Sequence, residues 1–319
     1  MFLHSKRATH QWPLTLTACT EMNVMRGEVI TYSKSWLAVN TYSGCPIGCQ
    51  YCVLSLSGRV PRTPRRICTE ATAVDHLLES KFFIPNTTPI CLNITTEPFH
   101  EAVRESTLAL VEELDANDLA NCVGIITKVH PGQEFLRRIR QPNSVRLAFV
   151  VSYSGLPYDI EPTSNQDRVT LMSDLTQLGF PVIHYWRPLI PGVNTKPEHL
   201  RHIFSEIREI SRCSVATGVK SLDGLKKRLQ PPLKEVPLPS VPGSPSSLGI
   251  GTTRVLRGLA RVHKEDHPVF FHTSCALAFL SGSTDYNAHY LSEARICECC
   301  PNACRQRHAA GDVRVKRTR

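Results

Sequence analysis

Six short apolar stretches, separated by segments of helical periodicity, restrict this chain's fold more than any other feature. The stretches are Trp36–Tyr42, Pro89–Ile94, Cys122–Thr127, Val145–Val151, Pro181–Trp186 and Ser214–Val219. Between them the spacing predicts helices over Glu70–Glu79, Ala102–Leu114, Phe135–Ile139, Gln166–Leu178 and Glu198–Ile210. In the second of these, Val103, Leu110, Val111 and Leu114 share one face. The fourth stops at Gly179, a suitable C′ residue. Strands that alternate with helices pair in parallel through right-handed crossovers. The expected fold is therefore α/β, a partial TIM barrel of (βα)6 type over residues 1–229. Sites in such folds lie where strands end and loops begin.

Past the sixth stretch, Gln230–Gly249 is dense in Pro, Ser and Gly and cannot pack a core. Residues 230–250 are read as a linker and 251–319 as a small cysteine-rich C-terminal module, opening with a helix over Thr252–His263.

The chain holds 13 cysteines. In a long chain without a secretory signal, that number favours metal ligation over disulfides. Met1–Pro13 shows no apolar core followed by a cleavage site, and no run of about 18 apolar residues occurs. A cytoplasmic, non-membrane protein is expected. Directly after the first stretch comes Gly44-Cys45-Pro46-Ile47-Gly48-Cys49-Gln50-Tyr51-Cys52. Cys45, Cys49 and Cys52 in one tight loop can ligate three irons of a [4Fe-4S] cube and leave the fourth iron open. Gly44 and Gly48 let such a loop wrap a cluster. Zinc would require a fourth ligand close by, and the loop offers none.

With an aromatic residue, Tyr51, before its last cysteine, this C-x3-C-x2-C motif resembles that of the radical S-adenosylmethionine (SAM) superfamily. Further segments, in order along the chain, are similar to those of spore photoproduct lyase-like members. They are Thr95-Thr96-Glu97-Pro98-Phe99, Ile126-Thr127-Lys128, Ile160-Glu161-Pro162 with Arg168, and Arg187-Pro188-Leu189-Ile190-Pro191-Gly192-Val193-Asn194. The resemblance implies that Cys45, Cys49 and Cys52 hold a SAM-binding [4Fe-4S] cluster and that the Tyr51 backbone lies near adenine. It implies that Thr95, Thr96 and Glu97 bind the SAM ammonium, Lys128 the carboxylate and Ser152 the ribose. Ile190 would pack on adenine, and Arg187 joins the cofactor-binding set. Two positions depart from the pattern. Where photoproduct lyases carry a hydrogen-donor cysteine, this chain has Ile94, and after the last cluster cysteine it has Val53 rather than Tyr. Cys91 lies three residues before Ile94, on the opposite face by strand alternation. Both departures argue against DNA photoproduct repair.

Near the other end, Cys297-Glu298-Cys299-Cys300-Pro301-Asn302-Ala303-Cys304 gathers four thiols, with Cys275 upstream. Cys275, Cys297, Cys300 and Cys304 would serve an auxiliary [4Fe-4S] cluster, Cys299 substituting for one of them, with a zinc knuckle as the rival. Arg59, Arg62, Arg65 and Arg66 follow the first motif with no acid between Val53 and Thr69. Such arginines can grip phosphate, and the net charge of +9 suits an anionic partner.

The expected activity is reductive SAM cleavage to a 5′-deoxyadenosyl radical. The radical abstracts hydrogen from an anionic small metabolite, nucleotide- or sugar-linked, in a specialised biosynthetic pathway, and a flavodoxin or ferredoxin supplies the electron. Modification of a peptide or nucleic acid is the alternative within radical chemistry. A non-catalytic, metal-bound nucleic-acid binder would explain the charge and the cysteines but not the six stretches or the motifs that end them.

Overall fold

The computed structural model describes residues 29–33, 35–55, 61–219, 229, 248, 250–292 and 300–311. The linker over 230–250 therefore lies almost wholly outside the described residues, as do Arg59, Cys297, Cys299 and the basic C-terminal tail.

One eight-stranded sheet organises the chain. Its strands are β1 (Ile30–Tyr32), β2 (Leu37–Val39), β5 (Ile90–Leu92), β6 (Cys122–Thr127), β7 (Arg146–Ser152), β8 (Val182–Leu189), β9 (Cys213–Gly218) and β10 (Val269–Phe270). They lie side by side in that order. From β2 to β10 every pairing is parallel, and β1 joins the β2 edge antiparallel. A separate two-stranded ribbon pairs β3 (Tyr42–Ser43) with β4 (Arg65–Arg66) and brackets the cysteine loop. Six of the parallel strands are the six apolar stretches, so the partial barrel expected from the sequence is the observed fold. The first stretch is shorter than expected, because the chain leaves the sheet after Val39 and re-forms as β3.

Helices α1 (Glu70–Leu78), α2 (Arg104–Ala116), α3 (Gln133–Arg138), α4 (Asn165–Gln177), α5 (Pro197–Ile207) and α6 (Ile250–Val262) cover the convex face. Local chemistry fixes where several of them begin. Thr69 caps α1 by accepting from Thr72 N, Ser164 caps α4 by accepting from Asp167 N, and Pro197 opens α5. Their apolar stripes, such as Leu110, Val111 and Leu114 of α2, pack on Leu92, Val123, Phe149 and Val151 of the strands.

The concave face is filled differently. Ala38, Cys91, Val150, Ile183, Tyr185, Val215 and Phe270 point inward and meet Cys275, Ala276 and Leu277 of α7 (Thr273–Ser281). Helix α7 thus sits inside the barrel. Its small residues allow the close seating, and Gly124 of β6 faces Leu277. Two short helices, α8 (His289–Ser292) and α9 (Cys304–Ala309), follow. The segment that the sequence sets apart as a C-terminal module therefore contributes β10 to the sheet and α7 to the barrel interior.

Cys91 and Ile94 both pack against this inner cluster, which corrects the opposite-face expectation. Strand β5 ends at Leu92, and Asn93 takes a φ of 50°, so alternation does not carry through to Ile94. Buried Asn93 is held there by its side chain. Its Oδ1 accepts from Thr41 N at 2.9 Å, and its Nδ2 donates to Thr107 at 2.9 Å.

Candidate active site

The loop carrying Cys45, Cys49 and Cys52 folds over the C-terminal edge of the barrel. Backbone hydrogen bonds set its path: Gly44 N donates to Thr95 O (3.2 Å), Cys45 N to Pro61 O (2.9 Å) and Gln50 N to Ile160 O (2.9 Å). Gly44 has a φ of 109° and Gly48 one of 83°. A Cβ at Gly44 would run into the Thr63 carbonyl, and one at Gly48 into the Arg62 guanidinium. At Gly44 the backbone contact and the positive φ both call for glycine, and at Gly48 the positive φ does, since the Arg62 end group can swing aside.

A cavity of about 160 Å³ opens over the three thiols, and its walls include Ile47, Tyr51, Arg62, Ile94, Thr96, Glu97, Ile126 and Lys128. Burial pushes the Cys45 thiol up to about 12, with the Glu97 carboxylate adding to the shift. Burial likewise pushes Cys49 up to about 11, although Lys128 pulls the other way. Thiols in this state are inert as nucleophiles, and a bound metal would have to displace their protons.

Glu97, in the loop five residues past β5, is buried, and burial raises its carboxyl to about 7. Its oxygens accept from the Thr127 hydroxyl, from Phe99 N at 3.2 Å and from Lys128 N at 3.1 Å. Thr96 also lines the cavity, and its buried Oγ1 makes no hydrogen bond. An orphaned hydroxyl beside a carboxylate, both facing a cavity floored by thiols, fits a ligand that carries an ammonium group. Thr95 is placed otherwise. Its hydroxyl is spent within the protein, donating to Tyr42 O at 2.8 Å, so it braces the cysteine loop instead of facing the cavity.

Lys128 ends β6 inside a buried charge frame. Its ammonium pairs with Glu161 (2.9 Å) and donates to Tyr51 Oη (2.8 Å) and Ser152 Oγ (2.7 Å). Glu161 also pairs with Arg168 and accepts from the Tyr51 hydroxyl. Burial alone would lower the Lys128 pKa, but Glu161 holds it above the ordinary value. All three ammonium protons are therefore engaged within the protein, and the expected grip on a SAM carboxylate would require one of these bonds to be exchanged. Ser152 ends β7 and donates to Arg187 O at 3.2 Å. Arg187 lies over the Tyr185 ring, 4.8 Å from its centroid, and donates to Tyr185 Oη. Ile190 is buried with Leu156 and Ile160, and Tyr51 packs against that cluster.

Sequence reasoning missed Glu161 and Arg168 as parts of the site. The only signal for them was the Glu-Pro…Arg resemblance, since their partnership with Lys128 and Tyr51 spans distant elements. Of the arginine run, Arg62 reaches the cavity, whereas Arg65 and Arg66 are exposed on β4 and Arg66 pairs with Glu70. Among the C-terminal cysteines, Cys275 and Cys304 are buried, and Cys300 packs against the inner cluster that contains Cys275.

No family model and no curated protein matches the chain. Solved structures do match. Spore photoproduct lyase complexed with dinucleoside spore photoproduct superposes with a TM-score of 0.58 at 14% identity, over 77% of this chain and 78% of that one. A spore photoproduct lyase mutant with bound SAM and the same dinucleoside gives 0.56 at 14%, over 73% and 75%. SuiB of Streptococcus suis, bound to SAM, gives 0.51 at 10%, over 76% of this chain and 51% of that one. Both proteins are radical SAM enzymes. This chain shares their fold. In that fold the C-x3-C-x2-C loop follows β2, and Glu97, Lys128, Ser152 and Ile190 stand at or just past the ends of the next four strands. No described helix is long and apolar enough to cross a membrane.

Proposed function

We propose that the chain is a radical SAM enzyme. The observation that carries this is the cavity floored by Cys45, Cys49 and Cys52 with Thr96 and Glu97 in its wall. When bound, a [4Fe-4S] cluster on the three thiolates supplies the electron that cleaves SAM to methionine and a 5′-deoxyadenosyl radical. The surrounding residues bind and orient. Glu97 in its ionised form and the unpartnered Thr96 hydroxyl accept hydrogen bonds from the SAM ammonium. Lys128, fixed by Glu161, holds positive charge beside the carboxylate end. Tyr51 and Ile190 supply apolar surface for adenine, and Ser152 offers its hydroxyl to the ribose by exchanging its bond to the Arg187 carbonyl. The largely apolar wall of Ile47, Ile94 and Ile126 excludes water from a reactive species.

The substrate we favour is an anionic small metabolite, nucleotide- or sugar-linked, because Arg62 brings a guanidinium into the cavity wall. Radical modification of a peptide or nucleic acid is the second choice, and a flavodoxin or ferredoxin is the proposed electron donor. The C-terminal cysteines form a second metal centre in this proposal, an auxiliary [4Fe-4S] cluster on Cys275, Cys297, Cys300 and Cys304 or a zinc site. The test of the main proposal is anaerobic reconstitution followed by reduction with SAM present. The protein should release 5′-deoxyadenosine, and Cys45→Ala, Cys49→Ala or Cys52→Ala should abolish release. Full activity in any of these variants, or no cleavage by a cluster-loaded protein, would overturn it.

A further inference from the structure

A second group of metal-ligating side chains lies away from the active-site cavity. Cys275 of α7, Asp285 in the following turn and His289 at the start of α8 each offer one ligand atom, and these atoms lie within 4.8 Å of one another. Asp285 is 1% exposed. Its Oδ2 accepts from His289 N at 2.7 Å and contacts His289 Nδ1 at 2.8 Å, while its Oδ1 is buried with no closer partner than the Ser274 hydroxyl beside the carboxylate. The Asn302 amide donates to Cys275 O at 2.7 Å and leaves its own buried Oδ1 without a partner. Two buried oxygens so poorly partnered beside a thiol and an imidazole are costly unless a cation accounts for them. The His289 ring is held in place, stacked on His272 with centroids 3.8 Å apart and planes 7° from parallel. The Cys304 thiol lies against the Asp285 backbone, on the α9 side of the group.

We propose that Cys275, Asp285 and His289 bind one zinc ion, with the Cys304 thiol as its fourth ligand. Tetrahedral zinc, with bonds of about 2.0–2.3 Å, sets its ligand atoms roughly 3.3–3.8 Å apart. The three grouped atoms lie within about 1–1.5 Å of that spacing, and Cys304, which the group does not include, moves in to complete it. Among the described residues, the donors decide the metal. A [4Fe-4S] cluster without an open iron takes four thiolates, whereas mixed sulfur, nitrogen and oxygen ligands suit zinc. Binding releases the thiol protons, and the ion takes up the poorly partnered Asp285 oxygen. Zinc here would tie α7, the turn, α8 and α9 together. Because Thr273 at the start of α7 donates to Tyr185 Oη at 3.2 Å, it would also steady the Tyr185–Arg187 pair inside the barrel. The proposal is independent of radical chemistry at Cys45, Cys49 and Cys52.

The experiment is metal analysis and zinc-edge X-ray absorption on the full chain, purified without added iron, and on its Cys45/Cys49/Cys52 triple-Ala variant. About one zinc per chain is expected in both, with a first shell divided between sulfur at about 2.3 Å and nitrogen or oxygen at about 2.0 Å. Asp285→Asn and His289→Gln should each weaken zinc binding about tenfold or more, read by competition with a chromogenic chelator. If either variant fails to fold, the absorption spectrum of the unaltered site still decides. About four irons and no zinc in the triple variant would overturn the proposal in favour of an auxiliary cluster. An all-sulfur zinc shell would overturn it in favour of a cysteine-only knuckle. Unchanged affinity in both single variants would also overturn it.

Discussion

Glu161→Gln isolates the charge frame beneath the cavity. The carboxylate and Arg168 are fully buried, and Lys128 and Tyr51 lean on the same two oxygens. Removing one partner of a buried pair leaves an uncompensated charge, at a cost of about 3–5 kcal/mol. Here two cations share the lost anion, which argues for the upper part of that range. At about 2–4 °C per kcal/mol for a domain of this size, about 4–5 kcal/mol should lower the melting temperature by roughly 8–20 °C. Thermal unfolding followed by circular dichroism measures this. Lys128→Met in the Glu161→Gln background should restore part of the loss, because one stranded cation disappears. Burial opposes ionisation of Glu161, but Lys128 and Arg168 hold its carboxyl below the ordinary carboxylate range. A depressed folded-state pKa gives stability that is present above the unfolded value. That stability fades as pH falls through the folded value, so the wild-type advantage over Glu161→Gln should shrink in acid. A loss under about 1 kcal/mol at neutral pH, or no rescue by Lys128→Met, would refute this account of the frame.

Three further outcomes are expected. Glu97→Gln should weaken SAM binding about tenfold to a hundredfold by calorimetry on cluster-loaded protein, the worth of one hydrogen bond to a charged group. Gly44→Ala combines a positive φ with a collision at the Thr63 carbonyl; strain of about 1–2 kcal/mol in the loop should lower iron per chain after reconstitution, read by metal analysis. With Ile94 in the cavity wall, the protein should leave dinucleoside spore photoproduct unrepaired, and chromatography would show the lesion intact.

The barrel was legible because six of its strands each sit in an apolar stretch of six or seven residues, even where the strand itself is only three residues long. The runs of β1 and β10 are three and two residues long and gave no such signal; partners across the sheet define them. The cysteine loop was legible as a local spacing. Other features of the site were not. The hydroxyl of Thr95 turns away from the cavity because Tyr42 O lies within reach, and no local pattern reports that. Ile94 and Cys91 share a face because one asparagine takes a positive φ. The commitment of Lys128 to Glu161 joins residues on separate elements. Asp285 and His289 escaped notice beside so many cysteines, since a lone acid and a lone histidine have no distinctive spacing.

The seating of α7 inside the barrel has a consequence for biosynthesis. A ribosome delivers the strands in sheet order, yet the helix that covers their concave face is encoded after all of them. Until residues 273–281 emerge, Ala38, Val150, Ile183 and Val215 border an unfilled hollow. A nascent chain in that state has its outer helices in place and its inner face bare, the condition in which exposed apolar surface recruits chaperones or aggregates. Chains cut at the linker, near residue 229, should accumulate as insoluble protein, and supplying α7 as a separate peptide should compete with that fate.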